Sequence, residues 1–584
     1  MNRVSQYDKY PAVSVAGARA WQGWTDIFER LRGEIERGAS RIAVECYPGV
    51  LEEEVLDAFR QALRPALILR TKDFLKCPTE IDAMISRDLT DDPVFGRMND
   101  LTIEDFADQA RVAGQREQYA NAEGLRIVFG IGTRLIEPSP QLLIYADMAR
   151  WEIQLRQRAG LTGNLGAMNE AERPSLKYKR AYFIDWRVAD RIKRSLFDAV
   201  DYFLDTNDAR APKMATGGAV RRGLRETAQR PFRVVPFFDP GPWGGQWMRR
   251  ACDLPDGPPN YAWCFDCVPE ENSLLLDFGG TRLELPSIDL VFQHPRELLG
   301  ERVYARFGAE FPIRFDFLDT MEGGNLSLQV HPLTEYVREK FGMAYTQDES
   351  YYMLDTGEDA CVYLGVKPAP DRAGMLRDLH CAQEGGAPFP AEQYVNCWPA
   401  RKHDHFLIPA GTVHCSGANS MVLEISATPY IFTFKLWDWG RLGLDGRPRP
   451  VHLDHGAANI QWDRDARWVE SNLINRICPM GTGDGWREER TGLHEFEFIE
   501  TRRHWFTGTV PHHTRGTVNV LNLVEGPEAI VESPDGAFEP FLVHYAETFI
   551  VPAAVGPYTV RPAQAAGAEL ATVKAFVRDD HALV

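Results

Sequence analysis

The pattern of apolar and polar positions differs between the first 215 or so residues and the rest of the chain. In the first part, short apolar runs alternate with stretches of helical period. The strands predicted there are 41–47, 66–71, 125–130, 141–146 and 201–205, and the predicted helices include 51–63 and 188–199. Strands that alternate with helices predict an α/β domain with a mostly parallel sheet.

The second part has short strands separated by turns rich in Gly and Pro, with helical insertions such as 333–341 and 370–383. This pattern is typical of a β-sandwich or barrel. The segment FLIPAG at 406–411 is repeated as FIVPAA at 549–554, and in this register His414 corresponds to Pro557. Because an internal repeat indicates two similar units, we expect a double β-barrel whose second copy has no metal ligand.

These changes of pattern predict the domain boundaries. We expect an α/β domain at 1–215, a linker at 216–231, a metal-binding β domain with helical insertions at 232–484, and a C-terminal barrel at 485–584. The linker contains Gly217-Gly218 and the arginine-rich helix predicted to follow, Arg221 to Arg230. The adjacent His512 and His513 are expected in a surface loop of the C-terminal barrel.

Composition limits the class of protein. The chain has 584 residues, 44% hydrophobic and 25% charged, as in ordinary globular proteins, and its ten cysteines are too dispersed for a disulfide framework. There is no long apolar run and no signal-like N-terminus, so we expect a cytoplasmic protein without a membrane partner. A net charge of -18 argues against nucleic acid as a partner. Two or three local basic groups still suffice for one phosphate.

Four residues form a candidate metal site. Gln329 and His331 are two apart in an apolar strand-like segment, so their side chains project from one face. Glu349 precedes a β-prone run, and His414 follows the turn after FLIPAG. Each of these residues alone is more often an ordinary core residue, so the prediction depends on the combination. An amide oxygen, a carboxylate and two imidazoles suit zinc or another borderline divalent ion.

These residues belong to a longer set of motifs that resembles the class I mannose-6-phosphate isomerases, zinc enzymes of the cupin superfamily, from about 232 to 580. The matching motifs, in family order, are Trp243-Gly244-Gly245, 326–332, Glu349 before two tyrosines, 406–414, 423–426 and Trp437-Asp438-Trp439-Gly440-Arg441. The resemblance implies a cupin fold and one Zn²⁺ per chain, held by the counterparts of Gln329, His331, Glu349 and His414. It also implies an aldose-ketose isomerase that interconverts mannose 6-phosphate and fructose 6-phosphate through a cis-enediol.

The same resemblance implies roles for further residues. Glu424 matches a family glutamate implicated in proton transfer. Lys435 stands where bacterial members have an arginine, and it keeps the positive charge without the planar, bidentate guanidinium. Arg447 replaces a common lysine and is expected to meet the phosphate, and Trp243 is expected to contact the substrate.

Two departures from the family pattern concern the choice of sugar. Tyr261 stands two residues before Trp263, where the family usually has a glutamate. Leu333 follows the His-Pro pair in place of an acidic or amide residue. The identity of the sugar is therefore less constrained than the metal site.

The N-terminal part resembles P-loop kinases of the uridine kinase type in a degenerate form. The turn after the first predicted strand lacks the glycines and the lysine that bind phosphate, and three glutamates, Glu52 to Glu54, begin the helix that follows. We therefore interpret this part as a degenerate relative without a recognisable ATP site, and the sequence leaves open whether it binds a nucleotide. An alternative is that Lys72, Asp73, Asp147, Asp185 and Arg187 cluster into an active site.

Other functions for the metal site remain open from the sequence. One alternative is another metal-dependent cupin enzyme, an epimerase or an oxygenase. A further alternative is a non-catalytic regulator that binds a sugar phosphate. The oligomeric state is not indicated by the sequence.

Overall fold

The structure is a computed structural model that describes residues 5–427, 430, 432–443, 446, 449–495, 497–564 and 569–578. Its chain forms two compact units. The α/β unit comprises Ala12–Thr227 and Glu271–Gln293, and the β unit comprises Met1–Pro11, Ala228–Glu270 and His294–Val584. The predicted domain boundaries stay a prediction. Of the predicted linker, 217–227 form a helix of the α/β unit that buries Val220 and Leu224.

The strands within the described residues are β1 Ala12–Ser14, β2 Ala20–Gln22, β3 Arg41–Cys46, β4 Leu67–Arg70, β5 Arg126–Gly130, β6 Leu142–Asp147, β7 Tyr202–Asp205, β8 Lys213–Thr216, β9 Phe237–Asp239, β10 Trp263–Cys267, β11 Ser273–Phe278, β12 Thr281–Pro286, β13 Arg314–Asp319, β14 Leu328–Val330, β15 Asp348–Thr356, β16 Cys361–Val366, β17 Val395–Pro399, β18 His405–Ile408, β19 His414–Ser416, β20 Ser420–Ala427, β21 Phe434–Trp437, β22 Cys478–Gly483, β23 Trp486–Arg490, β24 Ile499–Phe506, β25 Val510–His513, β26 Asn519–Glu525, β27 Glu528–Glu532, β28 Phe541–His544, β29 Thr548–Val551, β30 Pro557–Pro562 and β31 Leu570–Val577.

The α-helices in the same ranges are α1 Gly23–Glu36, α2 Glu52–Leu63, α3 Pro78–Leu89, α4 Ile103–Phe106, α5 Gln109–Asn121, α6 Arg150–Arg158, α7 Pro174–Arg180, α8 Trp186–Leu196, α9 Gly217–Thr227, α10 Trp247–Ala251, α11 Ile288–Gln293, α12 Pro295–Leu299, α13 Glu301–Phe307, α14 Thr334–Phe341, α15 Arg372–Gln383, α16 Ala391–Tyr394, α17 Leu453–Asn459 and α18 Ala466–Asn472. No helix in the described part of the chain is long and apolar enough to cross a membrane.

The α/β unit contains the predicted, mostly parallel sheet. Its strand order is β2-β8-β7-β6-β3-β5-β4. The five strands β3 to β7 are parallel to one another, whereas β8 is antiparallel to both of its neighbours, β7 and β2. The central strand β3 is almost entirely buried, as expected for an apolar run covered on both faces. A second sheet, β1-β11-β12, includes two strands from Glu271–Gln293. From the sequence, that segment was expected in the metal-binding domain.

The β unit contains the predicted double barrel, and the two barrels share one strand order. The first has the sheets β18-β15-β20-β13-β10-β9 and β17-β16-β19-β14-β21. The second has β29-β26-β31-β24-β23-β22 and β28-β27-β30-β25, so it lacks only a counterpart of β21. The repeated hexapeptides contribute β18 and β29, which occupy the same edge in their sheets.

The interior of the second barrel is apolar at one end, because alternate residues of its strands face inward. The cluster of buried side chains there is Phe506, Val510, Leu521, Leu523, Ala529, Val531, Val543, Phe549, Val551, Tyr558, Val560 and Leu570. Burial of this kind contributes about 25 cal/mol per Å² of apolar surface.

Candidate metal centre

Three strands of the first barrel, from both of its sheets, position the predicted ligands. Gln329 on β14 is paired with His414 on β19, and His331 follows the end of β14. Glu349 comes from the facing sheet, on β15. His331, Glu349 and His414 are fully buried, and Gln329 is nearly so. Strand pairing and sheet packing therefore bring together side chains that are up to 85 residues apart in sequence.

The geometry centres on the carboxylate of Glu349. His331 Nε2 lies 3.0 Å from Glu349 Oε2, and His414 Nε2 lies 2.9 Å from Glu349 Oε1. Ligand atoms of these three residues all lie within 4.8 Å of one another, and no other such group of three is found in the described ranges. The three side chains therefore could bind one metal ion.

The second nitrogen of each imidazole is held by the backbone. His331 Nδ1 lies 2.9 Å from the carbonyl oxygen of Phe432, and His414 Nδ1 lies 2.8 Å from that of Thr412. Carbonyl oxygens only accept, so each Nδ1 carries the hydrogen and donates it. In the neutral imidazole each Nε2 then presents a lone pair toward Glu349, which is the tautomer that binds a metal.

The donor set fits a divalent ion. His331 Nε2 and Glu349 Oε1 are buried and have no partner with hydrogen-bond geometry in the described structure. Two imidazoles and a carboxylate are a common zinc set. Gln329 Nε2 lies 3.3 Å from His414 Nε2, and a half-turn of the amide group brings its oxygen to the same point. Gln347 holds the carboxylate by donating a hydrogen bond of 2.9 Å to Glu349 Oε2.

Glu424 lies on the same inner face as Glu349. On β15 and β20, Glu349 is paired with Ser426 and Tyr351 with Glu424, and residues two apart share a face. On the other side Glu424 is paired with Asp316. Burial raises the pKa of Glu424 well above its ordinary value, and the charges of Glu349 and Asp316 raise it further.

Two residues that the sequence analysis missed complete this face. Asp316 and Arg314 on β13 lie beside Glu424 and Ser426, and Arg314 Nη2 is 3.6 Å from Asp316 Oδ2. The positive charge of Arg314 lowers the pKa of Glu424 and so offsets part of the rise caused by Glu349 and Asp316. The alternation of β13, RFDFLD, was the available signal, because charged residues alternate there with buried aromatic ones.

Lys435 lies next to the metal residues. It is paired with Gln329 across β14 and β21, so Lys435, Gln329 and His414 form a row over three adjacent strands. Burial lowers the pKa of Lys435 to about 7, and the neighbouring Arg449 acts in the same direction. At neutral pH this lysine can therefore exist with or without its proton.

A basic cluster extends from Lys435 toward Trp243. Arg441 and Arg449 each contact the buried carboxylate of Asp438, at 2.6 and 2.9 Å. The Arg449 guanidinium lies 4.8 Å from the centre of the Trp243 ring. Two guanidinium groups share one carboxylate, so this cluster keeps a net positive charge.

The structure places the remaining predicted residues as follows. Arg447 lies outside the described residues, and Arg449, two positions later, was missed by the sequence analysis. Tyr261 is buried, and its hydroxyl donates to the carbonyl of Pro255 at 3.0 Å. The backbone N–H of Leu333 donates to Asn459 Oδ1 at 2.8 Å.

The α/β unit has a cavity of about 870 Å³ at the carboxyl ends of β3 and β4. Glu52 to Glu54 at the start of α2 line it, as does Lys72, which is bound to Glu53 at 2.9 Å. The residues of the alternative active-site cluster predicted in this unit contact different partners. Asp147 pairs with the buried Lys193 at 2.8 Å, whereas Asp185 accepts from Asn164 at 2.6 Å.

Comparison with known proteins identifies two parts of the chain. Residues 23–229 match the family model of a domain of unknown function, DUF8485. The chain is 26% identical over 214 residues to mannose-6-phosphate isomerase of Streptococcus mutans, covering 36% of this chain and 62% of that protein. It is 27% identical over 227 residues to mannose-6-phosphate isomerase ManA of Bacillus subtilis, covering 38% of this chain and 65% of that protein.

Among solved structures, mannose 6-phosphate isomerase from Bacillus subtilis superposes with a TM-score of 0.48 and 17% identity, covering 59% of this chain and 99% of that one. The chain spans less than two thirds of the length of the curated relatives it matches. A segment of this chain, about 38% of its length, is distantly related to the class I mannose-6-phosphate isomerases, and residues 23–229 match the DUF8485 family.

Proposed function

We propose that the chain is a metal-dependent aldose-ketose isomerase that acts on a phosphorylated hexose, most like the interconversion of mannose 6-phosphate and fructose 6-phosphate. The observation that supports it most is the convergence of His331 and His414 on both oxygens of Glu349, with Glu424 on the same inner face. A metal site beside a carboxylate of raised pKa suits proton transfer next to a carbonyl.

His331, Glu349 and His414 would hold the ion, with Gln329 as a fourth ligand. When bound, a divalent ion supplies Lewis-acid polarisation of the sugar carbonyl. Zn²⁺ is the ion that this ligand set favours.

Glu424 is the proposed base. It takes the proton from one carbon of the C1–C2 pair and returns it to the other, so the same carboxyl group serves as base and as acid. A raised pKa suits this double role, because the group must bind the proton firmly enough to accept it and loosely enough to return it.

Lys435 and the basic cluster have the remaining roles. Lys435 donates a hydrogen bond to the sugar oxygen on which negative charge develops during enolisation. Arg449 and Arg441, over Trp243, bind the phosphate, since guanidinium groups match phosphate geometry. Arg447 remains a prediction for the same role.

The test combines metal analysis with an isomerase assay over a panel of aldose and ketose phosphates. We expect wild type to retain about one zinc per chain and to turn over at least one hexose phosphate. His414→Ala should stay folded, by circular dichroism, and lose both metal and turnover. The exposed His380→Ala on α15 is the matched control and should keep both.

Other outcomes distinguish the alternatives. Iron in place of zinc, with no isomerisation, would favour an oxygenase. Binding of a sugar phosphate without turnover would favour a regulator. Full isomerase activity in His414→Ala would refute the proposal.

A further inference from the structure

The C-terminal barrel contains a second polar centre at the position equivalent to the metal site. Because the two barrels share one strand order, residues on the strands that they have in common can be matched to one another. The repeat matches Ile408 with Val551. Glu349 is paired with Ile408, and Asn519 is paired with Val551. Asn519 therefore occupies the position of the central carboxylate, Glu349.

The counterpart of the proposed base is a lysine. Moving two residues along the same strands, Tyr351 is paired with Glu424 in the first barrel, and Leu521 is paired with Lys574 in the second. Position 574 therefore corresponds to position 424. The carboxyl group of Glu424, which is negative when ionised, is thus replaced by the ammonium group of Lys574, which is positive when protonated.

The counterparts of His414 and Gln329 follow from the facing sheet. The repeat alone matches His414 with Pro557, but Pro557 is exposed and Tyr558 is the buried, inward residue of β30. The Tyr558 hydroxyl donates to Asn519 Oδ1 at 2.9 Å, which parallels the contact of His414 with Glu349. Tyr558 is paired with His512, as His414 is with Gln329.

His512 therefore faces the interior of the barrel. The expectation of a surface loop is wrong for this pair, because both histidines lie on β25, with His512 buried and His513 exposed. The rings of His512 and His504 are 4.4 Å apart. His512 Nε2 and His504 Nδ1 are buried without a hydrogen-bond partner in the part of the chain described.

Lys574 is the strongest sign of a ligand. Its side chain is 7% exposed, and its only hydrogen-bond contact within the described residues is with His512 Nδ1, at 3.5 Å. No carboxylate of those residues lies within 4 Å of Lys574 Nζ, and the paired residue on β24 is another cation, Arg502. A buried ammonium group without a counter-ion is costly, and an anion would remove that cost.

The nearby carboxylates are already bound. Glu488 accepts from Arg502 at 3.0 Å and lies 3.1 Å from His504, and Arg502 also contacts Glu500 at 2.7 Å. Burial opposes ionisation of Glu488, but these two partners outweigh it and lower its pKa to about 2. Burial lowers the pKa of Lys574 to about 8, so it still carries a proton at neutral pH.

These side chains line a cavity of about 350 Å³, together with Arg515 and Asn519. A volume of this order is at the lower end of small-molecule sites, about 300 to 1,000 Å³. A metal is a poor fit, because the carboxylate and the second histidine of the first barrel are replaced by Asn519 and Tyr558. The Lys574 ammonium group suits an oxyanion instead, as does the Nε2–H of His512, whose Nδ1 accepts from Lys574.

We propose that the C-terminal barrel binds a small oxyanion of the phosphate class, such as a phosphate monoester, between Lys574 and His512. The pocket is a converted copy of the metal site, in which metal ligands and base have been replaced by neutral donors and a cation. This proposal does not depend on the isomerase function of the first barrel.

The test uses the full chain and inorganic phosphate, with sodium chloride at matched ionic strength as the reference. Calorimetry gives the Kd, and hydrogen exchange measured by mass spectrometry locates the site. We expect phosphate to protect peptides that contain β25 and β31. Arg449→Ala, which removes the proposed phosphate contact of the first barrel, should leave this protection in place.

Lys574→Met should weaken phosphate binding to this site by about tenfold or more, since a charge-assisted hydrogen bond is lost. His512→Gln is a second variant that keeps one polar group and should weaken binding in the same direction. The matched control is Arg490→Ala, which removes one exposed positive charge from the same sheet. Absence of protection in wild type, or an unchanged Kd in both Lys574→Met and His512→Gln, would overturn the proposal.

Discussion

Replacement of Lys574 by methionine should stabilise the C-terminal barrel in phosphate-free buffer. Methionine has a similar length and no charge, so it keeps most of the packing on Phe576 and removes the buried ammonium group. The pKa of Lys574 is lowered to about 8, whereas an unfolded chain has a lysine pKa of about 10.4. The difference of about 2.4 pKa units corresponds to about 3 kcal/mol.

The sign follows from proton linkage. Between pH 8 and about 10.4 the unfolded chain binds more protons at this lysine than the folded chain does, so the wild-type stability rises with pH in that window. Below pH 8 both states are protonated, and the full cost of about 3 kcal/mol remains. The advantage of Lys574→Met should therefore be about 2 to 3 kcal/mol at pH 7 and should nearly vanish above about pH 10.

The assay is the urea dependence of hydrogen exchange in peptides from β31, because a multidomain chain has no single free energy of unfolding. Lys574→Met should open at higher urea than wild type at pH 7, and phosphate should narrow the gap by stabilising wild type more than the variant. Arg490→Ala should behave as wild type. A variant that is less stable than wild type at pH 7, or a gap that does not depend on pH, would refute the reasoning about the buried charge.

Three further predictions concern the first barrel. Glu424→Gln should retain zinc, measured by atomic emission, while kcat falls by about 10² to 10⁴-fold, and unchanged turnover would exclude this residue as the base. Because Lys435 loses its charge as pH rises through about 7, we expect kcat to fall on the alkaline side. Lys435→Arg should shift that decline to higher pH in a pH-rate profile. An identical profile for the variant would contradict the role assigned to Lys435. Arg449→Ala should raise KM for a hexose phosphate by about tenfold or more with a smaller change in kcat, whereas an unchanged KM would remove the guanidinium from phosphate binding.

Local pattern was sufficient for much of the fold. The parallel strands β3 to β6 lie within a residue or two of the predicted ranges, since apolar runs bounded by helical periods are local signals. The repeated hexapeptide predicted two barrels, and the strand orders confirm it. The segment Glu271–Gln293 was expected in the metal-binding domain but belongs to the α/β unit. Its strand β11 pairs with β1, some 260 residues earlier, and nothing in the local pattern indicates such a distant partner.

The metal site shows the same division between local and distant information. The spacing of Gln329 and His331 indicates a shared face, but the period of a strand does not tell which distant carboxylate will meet them. Arg314 and Asp316 were missed because their relevance depends on pairing with Ser426 and Glu424. Arg449 was missed because its relevance depends on contacts with Asp438 and Trp243, which no local pattern indicates.

The sequence by itself determined the ligand types, the apolar alternation that turns them inward and the duplication of the barrel, since these depend on residue chemistry and on a period of two. Only the tertiary structure decided that Glu349 stands between His331 and His414, and that Tyr558 rather than Pro557 faces the interior of the second barrel. A shift of one residue in the pairing register turns every side chain of a strand to the other face, and the register is set by pairing with distant strands. The difference between a surface loop and a buried basic pocket at His512 follows from that register.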